Sequence, residues 1–156
     1  MSADEAFLRE AIELARANVA AGGRPFGAVV VKDGRVIARG VNEIRKTNDP
    51  TAHAEMLAIR AASQALGSPD LAGCVVYASG HPCPMCLAAM RMSGVGEVAY
   101  AYSNEAGEPF GLSTAAVYAD LAKPFAEQSM RIRHVPFGAA EPDVYAEWRK
   151  RQALER

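Results

Sequence analysis

The chain lacks the cysteine count of a disulfide framework, the apolar run of a membrane span and the basic excess of a phosphate-gripping surface. It has three cysteines, Cys74, Cys83 and Cys86. An odd number, with an acidic start (Met1-Ser2-Ala3-Asp4-Glu5) that reads as no secretory leader, argues against disulfides and predicts a cytoplasmic protein. No hydrophobic stretch is long enough to cross a bilayer, so no membrane partner is expected. Lys and Arg number 17 against 18 Asp and Glu, and the one mild basic cluster is Arg149-Lys150-Arg151. Proteins that grip a phosphate backbone usually show a basic face. The near balance therefore predicts no nucleic-acid partner and favours a small neutral substrate. No repeat, low-complexity segment or linker breaks the 156 residues, which predicts one domain over 1–156 around one core.

What is present is an ordered alternation of elements. Leu8, Ala11, Ile12, Ala15 and Val19 recur at helical spacing over residues 5–20, and Gly22-Gly23 ends that helix. Residues 28–31 and 36–38 read as paired strands. Asp33-Gly34 between them is a hairpin signal, because both positions of a type I′ turn need positive φ. Residues 42–50 are polar and loop-like. A helix from Thr51 stops at Gly67-Ser68-Pro69. Then follow a strand over 71–78, a helix over 83–92, a strand over 95–102 and a loop over 103–114. A short helix over 114–121, a strand over 131–137 and a helix over 143–154 complete the chain. This order predicts an α/β fold with a central sheet covered by helices on both faces.

Two segments carry chemistry: Thr51-Ala52-His53-Ala54-Glu55 and Pro82-Cys83-Pro84-Met85-Cys86. Zinc takes imidazole nitrogen and thiolate sulfur in tetrahedral geometry. His53, Cys83 and Cys86 provide three ligands, and a fourth position left for water marks a catalytic site. Cys83 at a helix start and Cys86 one turn later aim their sulfurs at one spot, where the helix dipole favours thiolate. Glu55, two residues beyond His53, is suited to take a proton from the water and return it to a leaving amine. A Cys-x-x-Cys also serves redox pairs and four-ligand structural zinc sites. The latter would need one more ligand from His81, His134 or Cys74, and Cys74 in its predicted strand reads as core packing.

The spacing His-x-Glu … Pro-Cys-x-x-Cys resembles the signature of the zinc-dependent cytidine deaminase superfamily. Pro25-Phe26-Gly27-Ala28-Val29-Val30-Val31, Asn42, the run from Asn48 to Glu55 and Pro82-Cys83-Pro84-Met85-Cys86-Leu87 are similar to its guanine deaminase branch. The resemblance implies a three-layer α/β/α sandwich of the cytidine deaminase-like type with a mixed central sheet. It implies one Zn2+ per chain on His53, Cys83 and Cys86, with Glu55 as proton shuttle. Zinc-bound hydroxide would attack the amine-bearing ring carbon and ammonia would leave. Backbone N–H groups at Ala54 and Cys83 would lie near the reacting centre. Asn42 would hydrogen-bond the heterocycle and Phe26 would pack on it, although Asn42 also suits a turn cap and Phe26 a core position. The branch further implies a homodimer, with a C-terminal segment that can be exchanged between subunits.

Three departures bear on the substrate. His81 stands where most relatives have Glu before Pro-Cys, and is read as a supporting group. Phe110-Gly111-Leu112-Ser113-Thr114 lacks the carboxylate that would accept guanine's N1–H and 2-amino donors. Glu105, Glu108, Glu141 and Asp143 are the candidate substitutes. No aromatic follows Trp148, where guanine-type relatives can carry a terminal one. A pocket without acceptors discriminates poorly for guanine, because unmatched buried donors are costly. The reading is hydrolytic deamination of a small aminated heterocycle, with guanine or a related purine first. Cytosine, isocytosine, a pterin or a triazine comes next, and a transfer-RNA adenosine is further off. A non-catalytic zinc module is disfavoured, since it has no use for Glu55.

Overall fold

A computed structural model describes residues 2–138 and 142–155. The chain divides into two compact units, Met1–Ala122 and Lys123–Arg156.

The first unit is built on a four-stranded mixed sheet in the order β2-β1-β3-β4. Its strands are β1 (Gly27–Lys32), β2 (Arg35–Val41), β3 (Cys74–Gly80) and β4 (Glu97–Tyr102). β1 runs antiparallel to β2 and β3, and β3 runs parallel to β4. The Asp33-Gly34 turn has φ of 51° and 74°, as the dipeptide predicts. The α-helices described in this unit are α1 (Ala3–Ala20), α2 (Ile44–Thr47), α3 (Ala54–Leu66), α4 (Pro84–Ser93), α5 (Asn104–Gly107) and α6 (Ala115–Leu121).

The three-layer arrangement follows from the apolar run in β1. In a strand, successive side chains face opposite sides. Ala28 and Val30 join Val76, Ala54, Ala58 and Met90 in the core on the α3–α4 side. Val29 and Val31 join Tyr77, Phe7, Leu8 and Leu14 on the α1 side. A strand buried on both faces has no polar alternation, hence Ala28-Val29-Val30-Val31. Among the described residues β4 pairs only with β3, and it is the more exposed edge of the sheet. α4 is the connection that a parallel β3–β4 pair requires.

Several boundaries move from their sequence-based positions. The polar stretch after β2 contains the one-turn α2, and α3 starts at Ala54, three residues beyond the expected start. β3 starts at Cys74, while Leu71 is buried in the loop before it. The expected loop after β4 contains α5 and a 3-10 turn over Glu108–Phe110.

The second unit holds a 3-10 turn (Phe125–Glu127) and α7 (Val144–Leu154), whose first amides at Tyr145 and Ala146 are capped by the Asp143 carboxylate. The strand expected over 131–137 is not formed: the segment has no partner strand among the described residues. A strand exists only as one side of a ladder, and Pro136 removes one of its donors.

Candidate metal centre and active-site cavity

Two helix N-termini bring the chemistry together. The loop before α3 is locked by Asp49, whose Oδ1 accepts from the Thr51 backbone N–H at 2.8 Å and the Thr51 hydroxyl at 2.7 Å. The His53 N–H then donates to the Thr51 carbonyl, and His53 becomes the extended N-cap residue of α3. β2 passes so close to this helix start that a Cβ on Gly40 would lie 2.3 Å from the Ala54 carbonyl oxygen. Glycine at 40 therefore lets α3 seat against the sheet and sets the height of His53 and Glu55. On the other side, Cys83 is the N-cap residue of α4, with Pro84 following in the first turn, where its missing N–H costs nothing. The Cys83 Sγ accepts from the Cys86 N–H at 3.4 Å.

The result is a tight donor cluster. His53 Nδ1 lies 3.4 Å from Cys83 Sγ and 3.5 Å from Cys86 Sγ, and all three ligand atoms lie within 4.8 Å of one another. Tetrahedral zinc with its usual bond lengths needs nitrogen and sulfur ligands about 3.6 Å apart. The donor set and its spacing fit zinc, with three protein ligands and an open fourth position. Cys74 takes no part: it is 1% exposed in the α3–α4 core, as its strand predicts. A fourth protein ligand is not found among the described residues, which does not support the structural-site reading, and His53 beside both sulfurs makes the pair part of a metal-ligand set.

Charge in the cluster is unevenly held. The Cys83 thiol ionises far more readily than usual because the Cys86 thiol and His53 hydrogen-bond to its sulfur. The Cys86 thiol is pushed up by the hydrogen bond it gives Cys83 and by burial. His53 is raised, first through its bond to Cys83. A cation held by these three groups would favour thiolate at both sulfurs. Glu55 is only 6% exposed. Burial pushes its carboxyl up, and it sits against the Cys86 thiol.

A cavity of about 60 Å³ opens on this cluster. It takes in His53, Glu55 and Cys83 together with Phe26, Asn42 and His81, so the residues singled out from sequence converge. Ala54 is fully buried as the first residue of α3. Asn42 caps a turn, its Oδ1 accepting from the Ile44 N–H, and it also lines the cavity while 5% exposed. Phe26 packs on the core and also lines the cavity. Arg24 and Leu112 line it too and were not singled out. Arg24 had a signal in its position just before Pro25-Phe26-Gly27, and Leu112 had one in lying within the Phe110–Thr114 stretch set against the substrate, though its apolar side chain gave it no mark of its own.

His81 is held by its surroundings. Its N–H donates to the Tyr102 carbonyl at 2.8 Å, and its ring lies 4.7 Å from Tyr100 and edge-on to Tyr118 at 5.6 Å. The Tyr118 hydroxyl in turn donates to the Pro82 carbonyl. His81 Nδ1 is buried without a hydrogen-bond partner among the described residues. Thr114 lines the cavity with its N–H on Asn104 Oδ1. Glu105 and Glu108 are exposed and do not line it. Asp143 caps α7, and Glu141 lies outside the described residues. A wider groove of about 660 Å³, lined by α1 and the segment after β4, shares Phe26, His81 and Leu112 with the cavity.

Residues 1–102 match the family described as the cytidine and deoxycytidylate deaminase zinc-binding region. The chain is 44% identical over 127 residues to a guanine deaminase of Bacillus subtilis (strain 168), covering 81% of each. An X-ray structure of guanine deaminase from Bacillus subtilis superimposes with a TM-score of 0.87 at 40% identity, covering 94% of this chain and 93% of that one. A tRNA-specific adenosine deaminase of Aquifex aeolicus (strain VF5) is 40% identical over 96 residues, 62% of this chain and 64% of that protein.

Proposed function

The chain belongs to the cytidine and deoxycytidylate deaminase zinc-binding family, and from that premise we propose that it hydrolytically deaminates guanine or a closely related purine base. The observation that carries the substrate is similarity to a guanine deaminase across four-fifths of both chains. His53, Cys83 and Cys86 would hold the zinc, which supplies Lewis acidity at its open position.

The chain's own residues then have these parts. Glu55 takes a proton from the attacking water and returns it to the leaving amine, so one water is consumed and one ammonia leaves. Burial suits it for this, because it pushes the carboxyl up and so makes it a stronger proton acceptor than an exposed carboxylate. Asn42 hydrogen-bonds the ring, Phe26 packs on its face, and the Ala54 N–H lies at the reacting centre. His81, clamped between two tyrosines, supports the Cys83 turn.

A second reading is favoured by one feature. Apart from Glu55, no carboxylate among the described residues lines the small cavity, and Thr114 and Leu112 take part in its wall. A ring without guanine's paired N1–H and 2-amino donors, such as cytosine, fits that wall; isocytosine, a pterin or a triazine are the other aminated rings to set beside it. Ammonia release from zinc-loaded protein across a panel of bases and nucleosides separates the two. Guanine as the best substrate supports the first reading. An inert guanine beside a reactive second ring supports the other, and no deamination at all sinks both. We further propose a single deaminase domain that is cytoplasmic and homodimeric, with an exchanged C-terminal segment and no nucleic-acid partner. Among the described residues no helix is long and apolar enough to cross a membrane.

A further inference from the structure

Asn18 lies near the end of α1 and is not among the residues lining the small cavity. Its side-chain Nδ2 nevertheless donates to two carbonyls that frame it: Arg24 at 2.7 Å and Asn42 at 2.9 Å. A primary amide has two N–H bonds, so both are spent. The two segments it joins also bond to each other. The Phe26 N–H donates to the Arg24 carbonyl at 2.8 Å, and the Asn42 N–H donates to the Phe26 carbonyl at 3.2 Å.

Asn42 is thus held at three of its polar groups. Its N–H is on Phe26, its carbonyl on Asn18, and its Oδ1 on the Ile44 N–H at 3.1 Å. Its Nδ2 takes part in none of these bonds and is the donor it can turn to the cavity. A ring atom that meets Nδ2 is an acceptor, such as a carbonyl oxygen or a ring nitrogen.

Gly23 fits the same device. A Cβ there would lie 2.6 Å from Asn18 Nδ2 and 2.8 Å from its Oδ1, while φ at Gly23 lies outside the positive range that favours glycine. Glycine at 23 is explained by the space the Asn18 amide occupies.

We propose that Asn18 is a positioning residue for substrate recognition. Its amide ties the Arg24–Phe26 turn to Asn42, so that the aromatic platform and the Asn42 donor are set before the heterocycle arrives. This rests on the reading of Phe26 and Asn42 as substrate contacts. Preorganisation of this kind acts on binding more than on the chemical step.

The test uses full-length zinc-loaded protein carrying Asn18→Ala, and separately Gly23→Ala, which crowds the same amide. Two readouts are taken: amide hydrogen exchange at Phe26 and Asn42, and kcat and KM for the best base of the panel. The expected result is exchange faster by about tenfold at both amides and KM raised by about tenfold. kcat should stay within about threefold, with zinc content unchanged. The two changes combined should cost little more than either alone, because they break one device. Unchanged exchange overturns the proposal. So does a loss of zinc and kcat with KM unmoved, which would be general loosening of the fold. If the wild type deaminates no base, the reading of function fails, and the exchange result alone decides whether the clamp exists.

Discussion

Glu55 is the residue whose burial and chemistry most constrain each other. A carboxylate that is 6% exposed is costly to keep unless it has a task or a charged partner. Here the partners are the Cys86 thiol and His53. Glu55→Gln keeps the shape and removes the proton transfer. It should lower kcat by about 10²–10⁴-fold while zinc, measured by atomic absorption, stays near one per chain. Loss of zinc would overturn the assigned role. His53, Glu55, Cys83 and Cys86 were legible in the sequence because metal ligation demands particular atoms at particular spacings. Asn18 was not legible: its contribution is two hydrogen bonds to backbone carbonyls, and a carbonyl leaves no mark on residue identity. Gly23, read from sequence only as a helix stop, has a second reason that is visible once the Asn18 amide is located.

At the scale of elements, the seating of α3 on β2 sets the metal ligands. Gly40→Ala would push a methyl into the Ala54 carbonyl and the Ala58 amide. It should cost about 1–3 kcal/mol, seen as a fall in Tm of roughly 3–10 °C in a circular dichroism melt, with activity falling beyond what stability explains. An unchanged Tm would mean that α3 slides without cost. α1 is tied to β3 by the Tyr77 hydroxyl, which donates to the Asp4 carboxylate at 2.6 Å. That bond, ahead of burial, pushes Tyr77 up to about 12 from the ordinary 10.0. Folding favours the protonated phenol, so its stabilisation is full below pH 10 and is lost as pH rises through about 12. Tyr77→Phe should cost about 1 kcal/mol at pH 8 and flatten the decline of Tm between pH 10 and 12. Equal declines in both proteins would refute the assignment. The layers themselves were readable, since the apolar run of β1 and the helical spacing of α1 and α3 are dictated by burial. Residues 131–137 misled because strand pattern is a local property and strand pairing is not.

For the whole molecule, the metal links catalysis to stability. Zinc present at a hundredfold excess over its Kd adds about 2.7 kcal/mol to the folded state. Stripping it with a chelator should abolish turnover and lower Tm by several degrees, and zinc re-addition should restore both. Light scattering on the same two samples reads the assembly: a dimer is expected, and a clean monomer would contradict it. Zinc, fold class and reaction type were all legible at this scale because a few residues carry them. The ring was less so, because selectivity is spread over a wall of ordinary residues such as Leu112 and Thr114. The position of the cysteines at the head of α4 has a consequence for biosynthesis. His53 precedes Cys83 by 30 residues, and the β1–β2 hairpin precedes both. A chain emerging from the ribosome can close its hairpin and dock α3 while it still holds only one metal ligand. The ligand set is complete only with Cys86, at the head of α4, so three-ligand capture of zinc comes after the hairpin and α3 have been made and before β4.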